Sequence, residues 1–206
     1  ATMAGKLYLY TSISAYRDLI DTFNLLGDPA LRLPVTSYDC AEVSLVPGWN
    51  QVSLAVKPLD PSPPNALRSL GPAWQPPQAR AGATPARRSA APTLPPRATT
   101  PTAIDARYGL WLQLSDFADL FVHGTQLSGG TEIPLYAGWN LLGAPITAST
   151  PITTAWASLP WTEAWTYDAN TASWSSATPA GGSLTTWTPG RGYWLKLSAN
   201  ATLTTP

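Results

Sequence analysis

The sequence is poor in the residues that most often carry chemistry. It contains a single cysteine and a single histidine in 206 residues. One cysteine cannot build an internal disulfide framework or a thiolate metal cluster, so we expect neither, and we expect no cofactor. One histidine argues against a histidine-rich metal centre and against a Ser-His-Asp arrangement within this chain.

Charge is also scarce, since charged residues make up 12% of the chain and the 12 basic side chains balance the 12 acidic ones. A protein that binds nucleic acid by neutralising phosphates needs a basic face, which this composition does not provide. No polybasic segment favours an anionic membrane surface, and no apolar run reaches the length of about 18 residues that a membrane span needs. We therefore expect neither a nucleic-acid partner nor a membrane span.

What the sequence does have is proline, tryptophan and small polar residues, with 22 Pro and 10 Trp. Thr, Val, Tyr and Trp favour strands, and few segments have the Lys and Glu content of long surface helices. This predicts a mainly β protein, with an extracellular or cell-surface location; an ordinary cytosolic β domain is the alternative. The first residues, ATMAGKLYLY, lack the layout of a signal peptide, so we expect a signal already lost or a piece of a longer protein.

Internal repetition is the strongest feature of the sequence. Residues 45–56 (LVPGWNQVSLAV) match residues 135–146 (LYAGWNLLGAPI), and residues 109–115 (GLWLQLS) match residues 192–198 (GYWLKLS). The spacing between the paired motifs is longer in the first copy, which predicts an insertion there. The pattern predicts two tandem β-rich repeat units, residues 41–134 and 135–206.

Each unit is predicted to follow one order of elements. A short helix follows the GWN strand, at residues 63–70 and 151–159, and the last strand is ADLFVHG in the first copy and NATLTTP in the second. The second copy also contains a hairpin at residues 165–174, with Asp-Ala-Asn-Thr as its turn. The first copy has in its place a Pro-, Ala-, Arg- and Thr-rich insert, residues 72–103, which we expect to be disordered or polyproline II unless a neighbour orders it.

The N-terminal residues have a different character. Residues 7–10 (LYLY) read as a strand, and residues 14–23 have the apolar spacing of an amphipathic helix. The apolar stripe of that helix consists of Tyr16, Leu19, Ile20 and Phe23.

The segment that follows, FNLLGDPALRL at residues 23–33, resembles the end of the catalytic domain of gingipain-type cysteine peptidases, which are secreted, caspase-like bacterial enzymes. The resemblance implies that residues 1–40 are a strand-helix remnant of an α/β catalytic domain. Cys40 lies after the motif, and His123 lies at the end of an apolar run, far from any cysteine that could pair with it, so neither corresponds to a catalytic residue of the family. We therefore expect packing roles for both, and no enzyme activity from this chain, although the parent polypeptide could be a cysteine peptidase.

The repeats, from about residue 43 to residue 206, resemble units of secreted bacterial surface proteins with the order GWNL, W-x-YD, W and G-x-GYW. In that family such units are mostly appendages of larger proteins. The resemblance therefore implies a bacterial extracellular or cell-surface location and says little about a ligand.

Tryptophan can serve as core or as a flat contact surface for sugars and proteins. Those repeated within apolar strands are expected in the core: Trp49, Trp111, Trp139 and Trp194. Those in polar surroundings, together with one tyrosine, are the candidate binding residues: Trp161, Trp165, Tyr167, Trp174 and Trp187.

Three functions are open at this stage. The first is a non-catalytic extracellular surface or self-assembly module, whose partners are copies of itself in a filament. Its contacts would be made by residues 1–35, which include the helix stripe, and by part of the insert at residues 72–103. Two similar units in tandem could in addition pack head to tail between chains. The alternatives are a carbohydrate-binding or adhesion module that binds glycans or cell-surface material, and a fragment of an active cysteine peptidase.

Overall fold

The computed structural model describes residues 39–74, 101–127 and 129–206, and residues 79–81 by their backbone alone. All of these belong to one compact unit, residues 38–206. The predicted strand at residues 7–10, the helix at residues 14–23 and the stripe of Tyr16, Leu19, Ile20 and Phe23 lie outside the described residues.

The described chain is mainly β, as the sequence predicts. The first half contains β1 (Asp39–Leu45), β2 (Gly48–Val52), β3 (Val56–Pro58), α1 (Pro63–Ala66), a 3-10 helix (Arg68–Ala73), β4 (Ala79–Ala81), β5 (Leu110–Leu114) and β6 (Ala118–Gln126). The second half contains β7 (Glu132–Leu135), β8 (Gly138–Leu142), β9 (Thr150–Pro151), α2 (Ile152–Ala155), β10 (Trp161–Asp168), β11 (Ser173–Thr178), β12 (Gly181–Gly182), β13 (Thr186–Trp187), β14 (Tyr193–Leu197) and β15 (Ala201–Thr204).

The two copies of the GWN motif form equivalent strand pairs. Strand β2 pairs with β5, and β8 pairs with β14, both antiparallel. The register is the same in both, because Asn50 lies opposite Leu112 and Asn140 lies opposite Leu195. The strand before each GWN motif is equivalent too, since β1 pairs with β6 and β7 pairs with β15. By this pairing each unit begins slightly earlier than residues 41 and 135, because β1 starts at Asp39 and β7 at Glu132.

The GWN motif is explained by the turn that leads into its strand. Gly48 has a φ of +97°, where a side chain would be strained, and its counterpart in the second copy has a φ of +94°. The Asn50 side chain accepts a hydrogen bond from Val46 N (3.1 Å) and donates to Val46 O (2.8 Å) and Gly48 O (3.1 Å). Asn140 makes the same contacts with Tyr136, at 2.9 and 2.7 Å. Each asparagine therefore closes the turn before its strand.

The two units differ in the strand that pairs with the outer side of β14 or of its counterpart β5. In the second unit β10 and β11 form the predicted hairpin, with Tyr167 opposite Trp174, and β10 pairs with β14. In the first unit the short strand β4 occupies the corresponding place on β5. Trp74, within the predicted insert, is 7% exposed and packs in the core of the first unit. The expected start of the insert at residue 72 is therefore wrong, because Pro72 and Ala73 belong to the 3-10 helix and Trp74 packs in the core.

Candidate functional site

The two units meet through main-chain hydrogen bonds at the ends of the strands that form the GWN sheets. These strands are β2 and β5 in the first unit and β8 and β14 in the second. Where β5 begins and β8 ends, Gly109 N donates to Leu141 O and Gly143 N donates to Arg107 O, both at 2.9 Å. Gly143 is required there, since a β-carbon at this position would overlap the carbonyl oxygen of Ala106.

The same contacts recur with the units exchanged. Where β14 begins and β2 ends, Gly192 N donates to Gln51 O (3.5 Å) and Ser53 N donates to Gly190 O (3.0 Å). Each of these residues is the repeat counterpart of one in the first set, so the units are related by a local two-fold arrangement. An interface of this kind is isologous, so the same surface of each unit is buried in it. The contact between the units within the described chain is therefore not of the head-to-tail kind, and a head-to-tail contact between chains stays a prediction.

Between the two GWN sheets lies a group of rings that we call the aromatic layer. Its centre is buried, with Trp111 at 0%, Trp139 at 4% and Trp194 at 6% exposure. Its half-buried rim consists of Trp49, Trp165, Tyr167 and Trp174.

The hairpin of the second unit covers the tryptophan of the first. The ring centroid of Trp111 lies 5.7 Å from Tyr167 and 5.9 Å from Trp174. Trp174 also lies 6.3 Å from Trp165 in an edge-to-face contact. Aromatic pairs in this distance range add about 0.5–1.5 kcal/mol each beyond area burial. The rim rings are therefore fixed in place by the interface between the units.

Three of the five predicted binding residues lie together on this rim: Trp165, Tyr167 and Trp174. Trp161 lies apart from them, because it packs against Trp156 (5.7 Å) at the core of the second unit. Trp187 as a surface binding residue is wrong. Its side chain is 0% exposed, and its Nε1 donates to Gly143 O at 3.0 Å. Thr and Pro neighbours made it look exposed, whereas Leu184 and Trp187 together close the core of the second unit.

Of the repeated tryptophans expected in the core, Trp111, Trp139 and Trp194 are buried, but Trp49 is only half-buried. It lies at the edge of the aromatic layer, 6.4 Å from Trp111. In the second unit β14 has a strand on each side, whereas the strand beside β5 in the first unit, β4, is only three residues long. Sequence repetition marked equivalent positions and could not show that their surroundings differ.

Polar groups flank the rim. Trp165 Nε1 donates to Glu163 Oε1 at 2.8 Å, and Glu163 forms an ion pair with Lys196 at 3.8 Å. At the turn of the hairpin, Asp168 accepts from Arg191 at 3.1 Å. Burial raises the pKa of Asp168, but the hydrogen bond from Asn170 N and the positive charge of Arg191 outweigh it, so that the pKa lies below its usual value.

The interior of the aromatic layer is closed to ligands. The Nε1 atoms of Trp111, Trp139 and Trp194 and the Nε2 atom of Gln51 are buried and have no hydrogen-bond partner among the described residues. A ligand hydroxyl that could reach them would need space that the packed rings occupy, and aromatic faces are weak acceptors for such N–H groups. Only the rim can therefore contact a ligand.

The single cysteine and the single histidine come together on the other side of the first unit. In the antiparallel pair of β1 and β6, Cys40 lies directly opposite His123. Both are exposed. The expectation that His123 lies far from any cysteine is wrong, because the pairing of β1 with β6 brings together residues from the two ends of the first unit. Matching β1 to EIPL and β6 to NATL, which form the pair in the second unit, is the sequence signal that could have found it.

An open cleft of about 600 Å³ lies at the end of β6. Its lining carries no titratable side chain and consists of Gln126, Leu127, Gly129, Pro145, Ile146, Thr147, Ala148, Thr150 and Pro206. Within the described residues, no group of three or more His, Cys, Asp and Glu side chains is arranged to hold a metal ion. Nor does that part of the chain contain a helix long and apolar enough to cross a bilayer.

No family model matches the chain, and no significant match exists among curated proteins or solved structures. The resemblances to gingipain-type peptidases and to bacterial surface repeats therefore stay predictions.

Proposed function

We propose that this chain is a non-catalytic binding module of an extracellular or cell-surface bacterial protein, and that it binds carbohydrate through the rim of the aromatic layer. The observation that carries the proposal is the clustering of Trp165, Tyr167 and Trp174 on one half-buried face. Indole and phenol rings offer a large rigid contact area at a low cost in conformational entropy, which suits stacking on the apolar faces of sugar rings.

The polar groups beside the rim favour a sugar over a purely apolar ligand. Glu163 and Lys196 lie beside Trp165, and Asp168 and Arg191 lie at the hairpin turn. Specific small-molecule sites combine aromatic walls with a few fixed polar groups. Carboxylate oxygens accept from sugar hydroxyls, and ammonium or guanidinium groups donate to them. The rim thus has both kinds of contact that a neutral, hydroxyl-rich ligand requires.

A non-catalytic role is supported by the way these charges are used. Glu163 is held by both Trp165 and Lys196, and Asp168 by Arg191. Hydrolysis of a glycosidic bond needs one carboxylic acid as proton donor and a second, facing carboxylate. Groups tied into ion pairs at the edge of a rigid ring cluster are suited to orienting a ligand.

The proposal is tested by a glycan array followed by titration of the full chain, with tryptophan fluorescence as the signal. We expect Trp165→Ala to weaken binding of the best glycan at least tenfold, because one half-buried ring of the rim is lost. Phe117→Ala is the matched control, since Phe117 is 72% exposed but does not belong to the aromatic layer. Binding that is unchanged in Trp165→Ala, or the absence of any bound glycan, would rule out the rim as a sugar site.

Self-assembly is the second candidate, and one observation favours it. Two large apolar side chains are exposed at the sheet of β1, β6 and β3. Phe121, on β6, is 43% exposed, and Leu59, whose main-chain N–H donates to the His123 carbonyl on β6 (3.2 Å), is 53% exposed. Exposed apolar surface of this kind often marks a protein contact. If copies of the chain assemble through this face, sedimentation at rising concentration will show larger species that Phe121→Ser abolishes and Trp165→Ala does not.

A further inference from the structure

The face of the sheet that contains β1 and β6 carries the only thiol and the only imidazole of the chain. Cys40 lies on β1 and His123 on β6, and the two residues are direct cross-strand partners. The neighbouring positions Ala41 and Val122 point to the core, at 7% and 3% exposure, so Cys40 and His123 point to the opposite, outer face.

The geometry of an antiparallel pair brings these two side chains within reach of one ion. Side chains of directly opposite residues have β-carbons about 4.5–5.5 Å apart. A zinc ion lies about 2.3 Å from a cysteine sulfur and about 2.0–2.1 Å from a histidine nitrogen. Two such bonds can bridge side chains whose β-carbons lie this far apart.

Neither group is committed to another role in the described chain. The Cys40 thiol makes only a long contact to Ala41 O, at 3.9 Å. No hydrogen bond is formed between Cys40 and His123, and the imidazole has no hydrogen bond to any other described residue. A nucleophile and base that work together would be hydrogen-bonded in or beside a cleft. Two free ligands on an open sheet face suit an ion better than they suit catalysis.

We propose that Cys40 and His123 form a two-ligand surface site for a thiophilic divalent ion such as Zn²⁺, with water in the remaining positions. Thiolate and imidazole are the ligands that zinc and its neighbours in the transition series prefer. The cysteine loses its proton to solvent when the sulfur binds the ion. The site lies apart from the aromatic layer and is independent of the carbohydrate proposal.

Cobalt(II) is the probe, because a cobalt–thiolate bond gives a charge-transfer absorption band that a cobalt–imidazole bond lacks. The full chain, with its thiol kept reduced, is titrated with Co²⁺ and then with Zn²⁺. We expect the band to saturate at one ion per chain, and we expect Zn²⁺ to remove it by displacement. No band in the wild-type protein would overturn the proposal.

Two variants decide whether the pair acts together. Cys40→Ser should lose the band. His123→Asn should weaken cobalt binding at least tenfold, because it removes one of the two protein ligands, and even loss of a group that only orients a ligand costs about 10–100-fold in metal affinity. Thr125→Ala, on the same outer face of β6, is the matched control and should bind as the wild type does. Equal affinity in His123→Asn and the wild-type protein would overturn the site, because the thiol alone would then account for binding. All three positions are exposed, so circular dichroism should show the same fold throughout.

Discussion

At the scale of the residue, the asparagine of each GWN motif does the most for local structure. Asn140 is 9% exposed, and its amide contacts the main chain of Tyr136, Gly138 and Leu195. Aspartate could accept as asparagine does, but it could not donate to carbonyl oxygens. The motif therefore requires both halves of the amide, and tandem repetition of GWN reflects a turn that both units build in the same way.

Asn140→Ala should lower the free energy of unfolding by about 1–3 kcal/mol, because the Asn140 side chain is buried and its loss leaves the half-buried N–H and C=O of Tyr136 without this partner. Urea unfolding followed by tryptophan fluorescence measures this, and all 10 tryptophans lie after residue 48, within the compact unit of residues 38–206. Asn170→Ala, in the exposed hairpin turn, is the control and should change stability by no more than about 0.5 kcal/mol. A loss at Asn140 as small as the control's would mean that the amide contacts are replaced by water.

Asp168 predicts a dependence of hairpin stability on pH. Its pKa in the folded chain is lowered, since the hydrogen bond from Asn170 N and the charge of Arg191 outweigh the opposing effect of burial. A lowered folded pKa stabilises the protein above the unfolded value of about 3.9, and this stabilisation disappears as pH falls through the folded pKa. The unfolding free energy of the wild-type protein should therefore decline below about pH 4. In Asp168→Asn the decline should be smaller, and equal declines in urea titrations at several pH values would contradict the assignment.

At the scale of the element, the hairpin of β10 and β11 was the most predictable part of the fold. Alternating Trp165 and Tyr167, an Asp-Ala-Asn-Thr turn and a returning tryptophan predicted both of its strands, which pair antiparallel. The error at Trp187 has a physical cause. Local polarity describes the neighbours of a residue in sequence, whereas burial depends on elements far along the chain, here the Gly143 carbonyl that accepts the indole N–H.

Trp174→Ala tests the hairpin as the cover of the first unit. Trp174 contacts Tyr167 at 5.1 Å and Trp111 at 5.9 Å between ring centroids, so its loss leaves Trp111 partly open to water. For a half-buried indole we expect a cost of about 2 kcal/mol, less than the 3–5 kcal/mol of a fully buried one. A red shift of tryptophan emission in the folded variant and a lower urea midpoint are the signals. Phe117→Ala should change neither, and a silent Trp174→Ala would mean that the hairpin does not cover Trp111.

At the scale of the whole molecule, the local two-fold arrangement makes the repeats into one cooperative body. The sequence predicted two units but not their interleaving, because the joining contacts are largely main-chain hydrogen bonds, such as those of Gly109, Gly143 and Gly192. Main-chain bonds leave no side-chain pattern in a sequence. The pairing of Cys40 with His123 was missed because it depends on which strands are neighbours, and the repeat shows this only once β1 is matched to β7 and β6 to β15.

Ser53→Ala should weaken both units together. The Ser53 side chain is 1% exposed, donates to Arg191 O at 2.8 Å and accepts from Ala144 N at 2.9 Å. Removing it leaves the buried N–H of Ala144 and the half-buried C=O of Arg191 without this partner, at a cost of about 1–3 kcal/mol. Hydrogen bonds join the strand ends of the two units, so we expect them to unfold together. Calorimetry should therefore show a single unfolding transition for residues 38–206, and its midpoint temperature should be lower in the variant. Two separate transitions, only one of them moved, would contradict this.

The contact between Ser53 and Arg191 also constrains the order in which the parts of the chain can fold. The two residues are 138 positions apart in the chain. During synthesis, at about 5–20 residues per second, the end of β2 waits for its partner until nearly all of the second unit has emerged. Long-range pairings of this kind are slow to form, because loop closure comes before any gain from contact. The first unit is therefore made first but stays incomplete until most of the second unit has been made, and its tryptophans remain accessible to chaperones until then.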